Sequence, residues 1–120
     1  MDEQIQLKVV EVVGGGLCVA SDDGEKVHAL VASALRQGKR VVVSFEGVTD
    51  LTSAFLNAAI GQLYGEFSED YIRAGLSVTG ASNDDLHILK RVVDRAKQFF
   101  KDPAPFREAA KAVLGADSDC

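Results

Sequence analysis

The chain has 120 residues, of which 47% are hydrophobic, and its formal net charge at pH 7 is −5. This length suits one domain with a real core, and the hydrophobic content excludes a disordered chain. Neither half of the chain is basic, which argues against general binding to the phosphate backbone of nucleic acids. No apolar run approaches the ~20 residues that span a bilayer, and the N-terminus lacks the pattern of a secretory signal. We therefore expect a cytoplasmic protein that binds neither nucleic acid nor membrane.

The first elements are predicted to be a strand, a turn and a second short strand. Apolar residues alternate and then run together over residues 5–13, which is typical of a strand. The three glycines at residues 14–16 break it, and residues 17–20 could return beside it as a hairpin, which would make that edge of the sheet antiparallel. The triplet lacks the ending of a P-loop, so a turn is a simpler interpretation than a phosphate cradle.

The middle of the chain predicts a helix, a buried strand and another helix. Ser21 begins a one-sided amphipathic pattern, and Gly38 follows its end as a helix-terminating residue. Residues 41–45 are apolar and β-branched, which is the pattern of a central strand covered on both faces. A loop of turn formers and hydroxyls leads to a helix over residues 55–64. Because ligands of open α/β folds bind outside the carboxyl ends of the strands, this loop and the start of its helix are the expected functional surface.

The last third predicts a polar loop or short helical turn over residues 65–73, a third strand over residues 75–79 and a long helix. Ser82 or Asn83 can cap that helix, and Pro103 begins a further one. Strands that alternate with helices in this way give an α/β fold with a mostly parallel sheet and right-handed crossovers.

We accordingly predict a small, mostly parallel or mixed sheet of about four strands with helices packed on it. A single domain is expected over residues 1–115, followed by a disordered acidic tail over residues 116–120.

No arrangement of side chains points to catalysis. His28 and His87 each lie on a predicted helix without a second histidine at ligand spacing, so no metal site is expected. Cys18 sits in an apolar run that is typical of a core residue. Glu46 and Asp50 flank a turn and could place an acid–base pair, but turn hydrogen bonding is the ordinary role of such an aspartate. We expect no enzymatic activity and no cofactor.

One strip of the helix predicted over residues 55–64 is small and polar. Ser53, Asn57 and Gly61 recur every four residues and therefore share a face. A glycine inside a helix costs about 1 kcal/mol relative to alanine. Close approach by another element of the same fold, or by a partner protein, could offset this cost, and both remain open.

Residues 41–64 resemble a known family. The turn FEGV at residues 45–48, followed by TSAFLN at residues 52–57, is similar to the STAS-like domain family of unassigned function. That family is related in pattern to STAS domains, which include the bacterial anti-anti-sigma factors. The resemblance extends more loosely over roughly residues 5 to 100.

The resemblance implies a small signalling module of the bacterial cytoplasm that antagonises an anti-sigma factor or a related protein. STAS domains pair with GHKL-type kinases or anti-sigma ATPases, and the kinase phosphorylates a Ser or Thr at the start of the helix after the central strand. Ser53 and Thr52 are the candidate phosphoacceptors here, although one alignment puts the usual acceptor on Ala54. Either hydroxyl could instead cap the helix.

We therefore expect a regulatory domain that binds a protein partner through residues 49–57, helped by residues 82–83. The candidate contact residues are Thr49, Asp50, Thr52, Ser53, Asn57, Gly61, Ser82 and Asn83. The alternative is a domain that senses a small ligand or a nucleotide through residues 14–16, Ser21 and the loop at Ser82. Neither the identity of the partner nor the oligomeric state follows from the sequence.

Overall fold

A computed structural model describes residues 3–101, so the helix predicted from Pro103 and the tail predicted over residues 116–120 lie outside the described residues. The fold is α/β. In chain order the elements are β1 (Gln4–Lys8), α1 (Val9–Val13), β2 (Leu17–Cys18), α2 (Ser21–Arg36), β3 (Arg40–Ser44), β4 (Asp50–Leu51), α3 (Ser53–Ala59), a 3-10 helix (Gly61–Gly65), α4 (Glu69–Gly75), β5 (Leu76–Thr79) and α5 (Asn83–Lys101).

Three strands form a parallel sheet in the order β1-β3-β5. Val43 of β3 pairs in register with Leu7 on one side and with Val78 on the other. Val41 and Val43 are buried, which confirms that this apolar run is the central strand. Because the strands are parallel, their carboxyl ends meet at one edge of the sheet, which we call the carboxyl edge.

The strand predicted over residues 5–13 is shorter than expected. β1 ends at Lys8, opposite Ser44, because β3 ends there and offers no further backbone partner. Residues 9–13 form α1 instead, which satisfies their backbone groups locally. Val9 is fully buried, so packing overrides the preference of β-branched residues for strands.

The hairpin considered for residues 14–20 does not form. β2 pairs in parallel with β4, with Leu17 opposite Asp50 and Cys18 opposite Leu51, so the return beside β1 is wrong. The carbonyl of Gly16 accepts hydrogen bonds from the backbone N–H groups of Thr49 (2.9 Å) and Asp50 (3.2 Å). Within residues 3–101, all the strand pairs of both sheets are therefore parallel.

The predicted helix boundaries at Gly38 and Ser82 are confirmed, whereas the helix predicted over residues 55–64 is divided. Gly38 has a φ of +76° just past the end of α2, as expected for a terminating glycine. The Ser82 hydroxyl accepts a 3.1 Å hydrogen bond from the backbone N–H of Asp85 and so caps α5. The helix predicted over residues 55–64 is divided into α3 and the 3-10 helix, and α4 occupies part of the polar segment 65–73.

The core lies between the sheet and the helices, with α3 in contact with both α2 and α5. Phe55, Leu56 and Leu63 are fully buried there. At residue 24 of α2, a Cβ atom would lie 2.5 Å from the carbonyl oxygen of Phe55, so glycine permits the close contact between α2 and α3. Among residues 3–101, no helix combines the length and the apolar character that a membrane span requires.

Candidate functional site

The loops that follow the three central strands meet at the carboxyl edge. The backbone N–H of Phe45 donates a 2.9 Å hydrogen bond to the carbonyl of Thr79, which ties the end of β3 to the end of β5. The bonds from Thr49 and Asp50 to Gly16 tie the loop after β3 to the glycine turn after α1. The predicted functional loop is therefore held on both sides.

Thr52 is the N-cap of α3, and both roles of its hydroxyl are in use. Its Oγ1 accepts a 3.1 Å hydrogen bond from the backbone N–H of Phe55 and donates a 2.8 Å bond to the carbonyl of Val19. The side chain is half-buried. Thr52 is thus a structural cap that also fastens the segment after β2.

Ser53 stands next to this cap in a different environment. It is the first residue of α3 and is exposed. Its hydroxyl forms no hydrogen bond with any residue from 3 to 101. Of the two candidate phosphoacceptors, Ser53 has the hydroxyl that is accessible without breaking the cap.

Asn57 lies one turn after Ser53 and is also exposed. It borders a groove of about 370 Å³ between the first half of α2 and the outer face of α3. The lining residues are Ser21, Glu25, His28, Ala54, Asn57, Ala58 and Gln62. This groove gives the predicted surface a concave part that the sequence did not indicate.

Gly61 does not share the exposure of Ser53 and Asn57, with which it was predicted to form a polar strip. It is buried, and a Cβ there would lie 2.7 Å from the Asn57 Oδ1 atom and 3.5 Å from the Val92 side chain of α5. The close approach that a glycine suggested therefore comes from elements of the same fold. We leave Gly61 out of the proposed surface.

The remaining predicted contact residues lie at the carboxyl edge and are exposed. Thr49 donates through its hydroxyl to the Gly16 carbonyl at 3.2 Å, and Asp50 lies in β4. Ser82 and Asn83 lie at the beginning of α5.

Two exposed apolar residues beside this surface were not among the predicted contacts. Leu17 is 62% exposed and Val19 is 46% exposed, while Cys18 between them is fully buried. The alternation of exposed, buried and exposed residues follows from the period of two along a strand. The sequence pattern predicted the strand but not which of its faces points outward.

Nucleophilic or phosphate-binding chemistry finds little support in residues 14–18. The backbone N–H groups of Gly14 and Gly15 both donate to the carbonyl of Val10, at 2.8 and 2.9 Å, and so terminate α1. Burial raises the pKa of the Cys18 thiol, and the carboxylates of Asp23 and Asp85 raise it further. A buried, protonated thiol is a poor nucleophile.

His28 joins α2 to the segment after the 3-10 helix. Its Nε2 lies 2.8 Å from one carboxylate oxygen of Glu66, and Arg36 donates to the other at 2.7 Å. His87 is exposed on α5. Within residues 3–101, no group of three His, Cys, Asp or Glu side chains is arranged to hold a metal ion.

A known family matches more than half of the chain. The family model described as a STAS-like domain of unknown function matches residues 23–86, which run from the first turn of α2 to the first turn of α5. No curated protein matches the chain, and no solved structure matches it.

Proposed function

The chain belongs to the family of STAS-like domains of unknown function, and on that premise we propose that it is a non-enzymatic regulatory module that binds a protein partner through residues 49–57. The observation that carries this proposal is the pairing of exposed Ser53 and Asn57 on one side of α3 with the adjoining groove against α2. Such a surface offers hydrogen-bonding groups beside a concavity. We expect it to operate in the bacterial cytoplasm.

The rigidity of this surface supports a binding role. α3 begins at a hydroxyl that is bonded to two backbone groups, and the preceding loop is bonded to the Gly16 carbonyl. A partner that binds a preformed surface loses little free energy in ordering it. We therefore expect docking beside α3 to leave the loop after β3 in place.

The partner class follows from the resemblance to anti-anti-sigma factors. A GHKL-type ATPase or kinase, or an anti-sigma-like protein, is the expected partner. Phosphorylation of Ser53 would add a charge of about −1.5 to −2 at the centre of the docking surface. We expect that charge to change the affinity for the partner while leaving the Thr52 cap in place.

Affinity capture tests the binding surface. The full chain is immobilised, lysate of the source organism is passed over it, and retained proteins are measured by quantitative mass spectrometry. Asn57→Arg should reduce one retained protein about tenfold or more, as expected for a contact central to an interface, and Ser53→Asp should change the retention of the same protein.

The matched controls place the same substitutions away from the site. Gln98→Arg changes an exposed amide on α5, and Ser33→Asp changes an exposed serine on α2. Both controls should retain the partner, and circular dichroism should show all four variants folded. Equal retention by Asn57→Arg, Ser53→Asp and the controls would remove this surface as the docking site.

A further inference from the structure

An exposed apolar pair borders the proposed docking surface. Leu17 and Val19 are 62% and 46% exposed and lie on the outward side of the segment that contains β2. Isolated exposed apolar residues are normal, but these two share a face and adjoin residues 49–53. They therefore enlarge the proposed surface with apolar area.

The pair is held in place by the same bonds that hold the loop. Leu17 is opposite Asp50 in the parallel pairing of β2 and β4, and the Val19 carbonyl accepts the hydrogen bond from Thr52. Cys18 between them is fully buried and anchors the segment in the core. Two apolar side chains fixed on an outward face are suited to be the centre of an interface.

The segments next to this apolar pair are rich in carboxylates. Eight acidic residues and two basic residues, Lys8 and Lys26, lie in the segments 8–26, 45–54 and 80–86 that form the carboxyl edge. The acidic residues are Glu11, Asp22, Asp23, Glu25, Glu46, Asp50, Asp84 and Asp85. Lys26 pairs with Asp23 at 3.2 Å, and the other seven carboxylates form no ion pair with any residue from 3 to 101.

Acidic residues elsewhere in the described chain are neutralised. The carboxylates that lie away from the carboxyl edge pair with cations of α2, α4, α5 and the segment before β3. These pairs are Glu66 with Arg36, Glu3 with Lys39, Asp70 with Arg73, Asp94 with Lys90, and Glu69 with Lys97. Within residues 3–101, the carboxylates that form no ion pair therefore all lie at the carboxyl edge.

The carboxylates of two helices act on the same point of this edge. Asp23 of α2 and Asp85 of α5 both raise the pKa of the Cys18 thiol, which lies between Leu17 and Val19. Both carboxylates therefore lie near the segment that carries the apolar pair. First-turn acidic residues also complement the helix dipoles, but Glu46 and Asp50 lie in no helix and have no such role.

We propose that the docking surface recognises a protein that presents an apolar patch ringed by lysine and arginine, with Leu17 and Val19 in contact with the patch and the surrounding carboxylates in contact with the ring. This inference rests on the proposed function and specifies the chemistry of its partner. A negatively charged nucleic acid would be repelled, and so would the identical face of a second copy. Oppositely charged faces attract, accelerate association and exclude wrong partners.

Three synthetic helical peptides test this specificity against the full, ¹⁵N-labelled chain by NMR titration. The first has a leucine face flanked by lysine and arginine, the second has the same face flanked by glutamate, and the third keeps the basic residues but replaces leucine by glutamine. The first should bind at least about tenfold more tightly than either other peptide. Its amide shifts should centre on Leu17, Val19, Asp50 and Ser53, and added salt should weaken its binding.

Variants separate the apolar contribution to binding from the electrostatic contribution. Leu17→Ser with Val19→Ser, and separately Asp50→Lys, should each weaken the first peptide about tenfold or more. The controls are Leu30→Ser, at an apolar residue of α2 that is 50% exposed, and Asp70→Lys, at a carboxylate that is 90% exposed on α4. Both controls should bind normally.

Several results would overturn the inference. These are absence of binding, equal binding of the first and third peptides, shifts centred away from β2, or variants that bind like their controls. Self-association in sedimentation that the double serine variant abolishes would instead identify a second copy as the occupant.

The peptide titration and the affinity capture test separate claims, so either one can fail while the other succeeds. If Asn57→Arg abolishes capture while the peptide titration fails, the docking surface stands and its basic partner does not. If the peptide binds as expected while capture is insensitive to Asn57→Arg, the proposed function falls instead.

Discussion

The Thr52 Oγ1 atom donates a 2.8 Å hydrogen bond to the backbone carbonyl of Val19, a residue 33 positions earlier in the chain. The same oxygen accepts from the backbone N–H of Phe55, so one hydroxyl caps α3 and connects it to the end of β2. The two candidate phosphoacceptors therefore differ. Thr52 maintains the site, and Ser53 is available on it.

Thr52→Ala should lower the free energy of unfolding by about 1–2 kcal/mol, because it removes an N-cap and the donor to the Val19 carbonyl. Thr52→Ser keeps the hydroxyl and should recover most of the loss. Ser53→Ala should stay within about 0.5 kcal/mol of the wild type, because this exposed hydroxyl bonds to no described residue. Urea denaturation measures all three. Equal losses for Thr52→Ala and Ser53→Ala would contradict the assigned roles.

Gly24→Ala should be destabilising even though alanine is ordinarily the better helix former. The new Cβ would lie 2.5 Å from the Phe55 carbonyl oxygen and 2.9 Å from the Ala58 Cβ, so α2 and α3 would have to separate. We expect a loss of about 1–3 kcal/mol, typical of overpacking. Gly15→Ala is the control, because nothing lies within 4 Å of its added Cβ. Thermal unfolding that ranks Gly24→Ala equal to or above the wild type would disprove this close contact.

Stability should decrease at alkaline pH because of the Cys18 thiol. Burial raises its pKa above the ordinary value of 9.0, so the folded chain keeps a proton that the unfolded chain releases. The stabilisation is complete below about pH 9 and is lost as the pH rises through the folded-state pKa. One proton limits the slope to about 1.4 kcal/mol per pH unit.

Urea denaturation between about pH 8 and about pH 10 checks this expectation in a Cys120→Ser background, which leaves one thiol. Cys18→Ala in that background should have a flatter alkaline decrease. Burial also raises the pKa of Tyr64 above its ordinary value of 10.0, so some decrease should remain in both proteins. Parallel curves for the two proteins would show that the thiol does not contribute.

Ser53→Asp should leave the free energy of unfolding unchanged or raise it by a few tenths of a kcal/mol. The first turn of α3 has no acidic residue, and a carboxylate near a helix N-terminus is favourable. Ser53→Lys should lower the free energy of unfolding instead. Urea denaturation at low and high salt identifies the electrostatic contribution to each change. A clear loss for Ser53→Asp would mean that its effect on partner capture reflects unfolding rather than an altered contact with the partner.

The interior of the sheet could be predicted from the sequence because its signals are local. Residues 41–45 are apolar and β-branched, and they form a buried strand with a neighbour on each side. Ser82 and Gly38 marked helix boundaries through side-chain and backbone preferences of single residues. The resemblance at residues 45–57 was sufficient to identify the family that matches residues 23–86.

The strand predicted over residues 5–13 and the hairpin considered for residues 14–20 were wrong for the same reason. Strands that pair with each other lie far apart in the chain. The pattern of residues 5–13 could not show that β3 ends opposite Lys8 and leaves residues 9–13 to form a helix. Likewise, nothing near Leu17 in the sequence indicates that its strand pairs with Asp50 rather than with β1.

By itself, therefore, the sequence determined the α/β class, the central strand and the capped start of α3, because periodicity and capping act within a few residues. Only the tertiary structure decided that the Thr52 hydroxyl is bonded whereas Ser53 is exposed, that Gly61 is buried, and that Leu17 and Val19 face outward near carboxylates that form no ion pair within residues 3–101. Exposure and charge compensation depend on contacts between distant segments, and local residue patterns do not specify those contacts.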